Sequence, residues 1–338
     1  MVIMDFFKRC DSECTANSND DLTTVKNISN TANLKSYLRN ASTNHIPDPY
    51  QCTLQIRTKK GEGGFLKNLY RPLLEGIDPT FQFICIEESE DVEYPLTVWG
   101  DNLPSSSDNF VCTSLSVVLF LRETFGRLSA LSMQKNLGAE PWRFHHRIEL
   151  PLDVRPRVTA RQDFYQAFPE LPLWAISPVH YGNEHLRFHI VVKNFNQMKY
   201  FYELLTGVTP RGNSPGFCYF PIYTQKGLDI QISLKCLPQV SPRPSSGYKL
   251  QFKVENVGSL APYCGGPLLP YGRNSWMTND PDGNYVILED VGTRDLHFGI
   301  CENQDTSDYE TASESFGSSG QDSLSEALGG HSGSTRIP

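Results

Sequence analysis

Between about residues 49 and 300, apolar and polar positions follow two rhythms, and outside that stretch neither is sustained. "CTLQIRT" (Cys52 to Thr58) alternates with period two, the pattern of a half-buried strand. "GGFLKNLYRPLLEGI" then sets Phe65, Leu66, Leu69, Tyr70, Leu73 and Leu74 on one stripe at helical spacing, with Pro72 expected to kink it. "FQFICIE" and "LSVVLFL" predict further strands, "GRLSALSMQKNLG" a helix stopped by Gly138, and "WRFHHRIEL" another strand. From Pro49 to Pro169 the order is β-α-β-β-α-β, which predicts a small α+β sandwich with helices on one sheet face.

From Leu171 to Asp290 the alternation is cleaner. "LRFHIVV" predicts a strand, "NQMKYFYELLTG" a helix closed by Gly207, and "GFCYFPIYT" and "LDIQISLK" two more strands. A second round follows: "YKLQFKV", a short helix in "NVGSLAPY", then "NSWMTN" and "YVILE". Two successive β-α-β-β units of this length predict a pseudo-repeat, each supplying half of one cupped mixed sheet. Four segments result: a disordered stretch over 1–48, an N-terminal α+β module over 49–170, a two-unit domain over 171–300, and a disordered tail over 301–338.

Charge sharpens this division. The net charge is −8, and from Glu302 onward seven acidic residues against the single Arg336 account for −6 of it. The body is close to neutral, which argues against direct nucleic-acid binding. No apolar run approaches the ~20 residues of a membrane span. Nine cysteines without a CxxC pair read as reduced thiols, which predicts an intracellular setting, nuclear or cytoplasmic. In the tail, Ser307, Thr311, Ser319 and Ser323 each stand three positions before an acidic residue, a spacing that suits acidophilic kinases.

"LRFHIVVKNFNQMKYFYELLTG" resembles the opening unit of the glyoxalase, or vicinal-oxygen-chelate, superfamily, and "DPDGNYVIL" resembles its closing hairpin. Together with "EPWRFHHRIEL" and "LPLWAISPVHYG", the chain more narrowly resembles the family-with-sequence-similarity 124 proteins, A and B. The resemblance is good over Pro141 to Leu288 and looser over Cys52 to Arg122. It implies a glyoxalase-like α+β fold without an established reaction, and a second copy of the chain as one way to complete a cup.

Active members of that superfamily carry metal ligands on inward strand positions. Here those positions fall on Arg187, Lys249 and Ile287, with Gln231 the one inward residue of "LDIQISL" able to coordinate. No metal and no cofactor is therefore expected. A relocated set of His185, His189 and Glu289 is the alternative, although His185 and His189 on one strand stand about 13 Å apart. His145 and His146 are expected on opposite strand faces, unable to act together. "KKGEGGFLKNL" lacks the last glycine of a phosphate loop and reads as a helix entry.

The inward odd-numbered residues form a wet face that leans cationic: Arg187, His189, Gln231, Lys249, Gln251 and Lys253 are its binding candidates. The expectation is a non-enzymatic, metal-free scaffold that binds other proteins through their acidic segments. A metal-dependent lyase, isomerase or dioxygenase is the alternative.

Overall fold

The computed structural model describes residues 2–3, 48–92, 110–123, 129–149, 161–212, 214–237 and 240–292, all within the compact unit Met1–Leu296. The disorder expected over the N-terminal stretch and the tail, with its four phosphorylation candidates, lies outside the described residues, save that Val2–Ile3 form a short strand.

Every strand and helix that the sequence rhythm predicted is present. The elements are β1 (Val2–Ile3), β2 (Cys52–Lys59), α1 (Gly63–Leu74), β3 (Ile84–Ser89), β4 (Phe110–Thr113), β5 (Leu115–Arg122), α2 (Ala130–Leu137) and β6 (Arg143–Glu149). Then come β7 (Arg161–Gln166), β8 (Leu173–Val179), β9 (Glu184–Val192), α3 (Phe195–Thr206), β10 (Phe217–Gln225), β11 (Leu228–Cys236) and β12 (Val240–Arg243). After β13 (Tyr248–Val254), a 3-10 helix (Val257–Tyr263) leads to β14 (Leu269–Gly272), β15 (Ser275–Asn279) and β16 (Tyr285–Asp290). Of these, β4, β7, β8, β12 and β14 are strands that the rhythm did not predict. Helix boundaries are marked by local chemistry: the Ser129 hydroxyl accepts the Ser132 N–H at the start of α2, and Gly207 closes α3 at φ 66°.

The α+β class stands, but the partnering of the units does not match the expectation. One sheet has the order β1-β6-β7-β8-β5-β9-β11-β10, the other β14-β15-β16-β13-β2-β3, and β4 pairs with β12 separately. The two units expected to share a cup, β9 to β11 and β13 to β16, therefore lie in different sheets. Each joins a unit from the N-terminal half through antiparallel pairing of first strands: β9 with β5 and β13 with β2. Nor do positions 170 and 171 separate two modules, because β5, β7, β8 and β9 are neighbours in one sheet. Local periodicity marks a unit, whereas its partner is chosen by non-local strand pairing.

One apolar core lies between the sheets, fed by the even-numbered residues of β2, β9, β11, β13 and β16 and by the odd-numbered Leu115, Val117, Leu119 and Leu121 of β5. Tyr202 of α3 shows how that core is filled. Its ring meets Phe220 of the first sheet at 6.4 Å and Phe252 of the second at 6.0 Å. On the other side Tyr70 of α1 stacks on Trp174 of β8 at 5.1 Å. With the helices between them, each sheet turns its other face away from the core, odd-numbered on β9, β11 and β13 and even-numbered on β5.

The "DPDGN" turn joins the halves. Gly283 sits at φ 91°, a conformation that side chains with a Cβ rarely adopt. This lets the Asp282 carboxylate accept the N–H groups of Lys193 and Asn194 at 2.6 and 3.1 Å, and Asn194 Nδ2 at 2.8 Å. A turn of the second sheet thus caps α3, a helix whose strands belong to the first. Asp280, fully buried, accepts from Tyr202 Oη, Asn284 and the Asp282 N–H.

Candidate functional site

The first cup is the face of the eight-stranded sheet turned away from the core, lined by odd-numbered residues of β9 and β11 and even-numbered residues of β5 and β7. In-register pairing sets Arg187 beside Val118 on β5 and Gln231 on β11. The Arg187 guanidinium donates from Nε and Nη2 to one oxygen, Gln231 Oε1, at 3.0 and 2.7 Å. Its faces meet the rings of Phe120 at 4.6 Å and Tyr219 at 5.8 Å. Gln231 in turn donates to His185 Nδ1 at 3.1 Å, and His185 lies 3.4 Å from Asp229. No carboxylate reaches Arg187 among the described residues. Burial pulls its pKa down to about 10, with the Tyr219 phenol opposing.

The β5-β7-β8 half of this cup is apolar. Val118, Phe164, Leu173 and Ala175 form a second buried cluster with Phe120 and Ile148 against it. Sequence reading passed over these residues, yet "LSVVLFL" carries a signal for them. Its apolar residues occupy both parities, as they do in a strand buried on two faces.

A bulge between Phe144 and His146 breaks the register of β6 against β7. It brings His145 and His146 together, with Nδ1 atoms 2.9 Å apart, where strict alternation predicted opposite faces. His146 stacks flat on Phe164 at 4.6 Å, and His189 Nδ1 lies 2.8 Å from Ser233 Oγ. Burial is the main cause that drives His145 to about 4 and His146 and His189 to about 3. All three are therefore neutral imidazoles at physiological pH.

The second cup belongs to the six-stranded sheet, which curls until its edges meet. Tyr271 on the edge strand β14 places its hydroxyl 2.8 Å from Glu87 Oε2 on the opposite edge, β3, and 3.1 Å from Gln55 Oε1. Under this bridge lies Lys249, 6% exposed, with its Nζ 5.8 Å from the Tyr271 ring centre. Farther along, Gln251 donates to Glu289 at 3.1 Å and Lys253 to Asp48 at 2.7 Å.

The six binding candidates do not form one surface. Arg187, His189 and Gln231 line the first cup, while Lys249, Gln251 and Lys253 line the second. The face is not a solvated one either, since Gln231, Ser233 and Lys249 are 5%, 0% and 6% exposed. Sheet curvature, invisible to alternation, buries these polar positions. The relocated metal set is likewise divided, with His185 and His189 in the first sheet and Glu289 in the second. Among the described residues no three His, Cys, Asp or Glu side chains converge in a metal-binding cluster. Arg187, Lys249 and Ile287, the positions where sequence reading expected ligands, offer two cations and an alkyl side chain, a donor set unsuited to a divalent ion. The "KKGEGG" helix entry is occupied by the chain's own carboxylate, because Glu88 accepts the N–H groups of Gly61 and Gly63 at 3.1 and 2.8 Å. Each cup is completed within one chain, so cup completion supplies no reason for a second copy. No helix among the described residues is long and apolar enough to cross a membrane.

A family model for the FAM124 domain matches residues 52–289. Protein FAM124A of Homo sapiens is 31% identical over 261 residues, which cover 76% of this chain and 46% of that protein. Protein FAM124B of Homo sapiens is 30% identical over 247 residues, covering 71% and 52%. The chain thus spans about half the length of the curated relatives it matches. Among solved structures, glyoxalase I from Zea mays is 12% identical with a TM-score of 0.43, covering 75% of this chain and 99% of that one. A putative dioxygenase from Bacillus subtilis is 10% identical with a TM-score of 0.39, covering 72% and 86%.

Proposed function

The chain belongs to the FAM124 family, and from that premise we propose that it is a non-catalytic binding protein whose first cup takes an acidic segment of a partner protein. The observation that carries this reading is Arg187, a largely buried guanidinium whose hydrogen-bond partner is a neutral carboxamide. Buried charges ordinarily have a counter-charge, and a guanidinium meets a carboxylate best through two parallel hydrogen bonds. Gln231 occupies the Nε side of Arg187, which leaves Nη1 for an arriving carboxylate. The apolar half of the cup, with Phe120 and Val118 beside the guanidinium, suits a segment in which an acidic residue neighbours an apolar one.

The non-catalytic part rests on the arrangement of titratable groups. The imidazoles of His145, His146 and His189, tied to Ser233 and to each other, are weak bases with pKa values of about 3 to 4, and cations stand where sequence reading expected metal ligands. This replaces the single cationic trough expected from the sequence with a pocket centred on one arginine.

The test is fluorescence polarisation of the full chain with an acidic-apolar peptide and with its Asp/Glu→Asn/Gln counterpart. The acidic peptide binds and the neutral one does not, and Arg187→Gln lowers affinity by about 2–5 kcal/mol, as expected for truncating one partner of a buried charge pair. Equal binding by wild type and Arg187→Gln overturns the reading. Binding of small carboxylates but of no peptide would replace the partner protein with a metabolite.

A further inference from the structure

The second cup has its own chemistry, centred on Lys249. This amine is held under the Tyr271 bridge and has no hydrogen-bond acceptor among the described residues. Lys253, two positions on and facing the same way, has Asp48. Lys249 nevertheless keeps contact with solvent. The sealed polar atoms without partners are Arg57 Nε, Tyr70 Oη, Thr113 Oγ1, Trp174 Nε1 and Tyr200 Oη, and Lys249 Nζ is not among them. Arg57 stands beside it on β2, paired opposite Gly247. Its Nη2 donates to Ser89 and lies 3.8 Å from the exposed Asp91 carboxylate, while its Nε is sealed without a partner. Burial first, and the Arg57 charge second, push the Lys249 amine below its usual pKa, with Glu87 opposing.

We propose that Lys249 is a reactive amine that captures a carbonyl compound bearing a carboxylate, such as a 2-oxo acid, as a reversible imine in the second cup. Desolvation beside a second cation is one of the ways proteins raise the neutral fraction of a lysine. The neutral amine attacks the carbonyl carbon, and the C=O electron pair moves to oxygen, which takes up the proton released from nitrogen. The resulting carbinolamine loses that oxygen as water when the nitrogen lone pair forms the C=N bond. One amine and one carbonyl thus give one imine and one water, with no oxidant or reductant required. The Tyr271 ring covers the amine at 5.8 Å while its hydroxyl stays committed to Glu87, so the protons that move in these steps are exchanged with the solvent that reaches Lys249. The Arg57 charge beside the amine favours a ligand that carries a carboxylate over a neutral one. Capture of this kind is binding rather than turnover and does not depend on the first cup.

The test is reductive trapping. The full chain is incubated with glyoxylate and cyanoborohydride, digested, and mapped by mass spectrometry. The expected result is a carboxymethyl adduct concentrated on Lys249 and formed on the order of tenfold faster than on Lys253. Lys249→Met removes it, and Arg57→Gln slows trapping of glyoxylate more than trapping of a neutral aldehyde. Should either variant fail to fold, competitive acetylation of the wild-type chain still decides, by comparing Lys249 with the ion-paired Lys253. Adducts spread over the surface lysines with Lys249 unlabelled, or Lys249 acetylated more slowly than Lys253, overturn the proposal.

Discussion

The two cups are built from the same kind of unit and are lined by opposite chemistry. The first holds a guanidinium between aromatic rings, an apolar half-floor, and the buried imidazoles of His145, His146 and His189. The second has no histidine on the strands that form it, and holds an amine beneath a tyrosine that ties one sheet edge to the other. Each cup carries a cation on the first strand of a unit, Arg187 on β9 and Lys249 on β13. A cation in a half-buried cup needs a compensating interaction. Arg187 finds a carboxamide and two rings, whereas Lys249 finds a ring, and this difference separates an anion-pairing site from a nucleophilic one.

Acid should separate the cups most strongly. The three first-cup histidines titrate near 3 to 4 in the folded chain, against an ordinary value of 6.5. Between those values the unfolded chain binds more protons. Their contribution to stability is therefore complete above about pH 6.5 and is lost as pH falls through the window to about 3. Each histidine costs up to about 1.4 kcal/mol per pH unit there. Hydrogen exchange at pH 5 should show β6 and β9 opening before β13 and β2, and uniform loss of protection would show that the cups do not differ in this way.

Gly283→Val asks whether the halves are mechanically joined. A branched side chain at φ 91° should cost about 1–3 kcal/mol. If the clasp is real, protection should fall in α3 as well as in β15 and β16. An unchanged denaturant midpoint would show that the turn adopts another conformation.

Asp282→Ala removes the cap on α3 while sparing the glycine, and an expected loss of about 1–2 kcal/mol follows from capping energetics. Asp282→Asn, which keeps the turn's backbone preference, should also register in the same melt. One carboxamide oxygen cannot reproduce the contacts that two carboxylate oxygens make to Lys193 and Asn194. The smallest effect is expected from metal removal. Chelator should leave the melting temperature unchanged, and one equivalent of bound metal whose loss lowers it would favour the metal-dependent enzyme over the binding protein.

Much of the local structure was legible. Alternation located β2, β9, β11 and β13, an unbroken apolar run located β5, and Gly138 and Gly207 marked the helix ends they were expected to mark. The site was less so. Arg187 and Gln231 share a parity on strands that turn out to be neighbours, so their meeting could be anticipated. Phe120 and Tyr219 could not be placed against Arg187, because they come from β5 and β10, far away in sequence. The contact between His145 and His146 was hidden by a bulge, which shifts register by one residue and cancels the parity rule.

The sequence by itself determined the units: their strands, their helices, the side chains offered on each strand face, and the turn at Gly283. These depend on spacing of two or 3.6 residues and on backbone conformations that few residues tolerate. Tertiary structure decided which units share a sheet, and therefore that Arg187 and Lys249 serve separate cups. It also decided how far each sheet curls, and with that how deeply Gln231 and Lys249 are buried. Strand pairing brings together residues hundreds of positions apart through backbone groups that every residue carries. The pairing leaves little trace in the order of side chains along the chain.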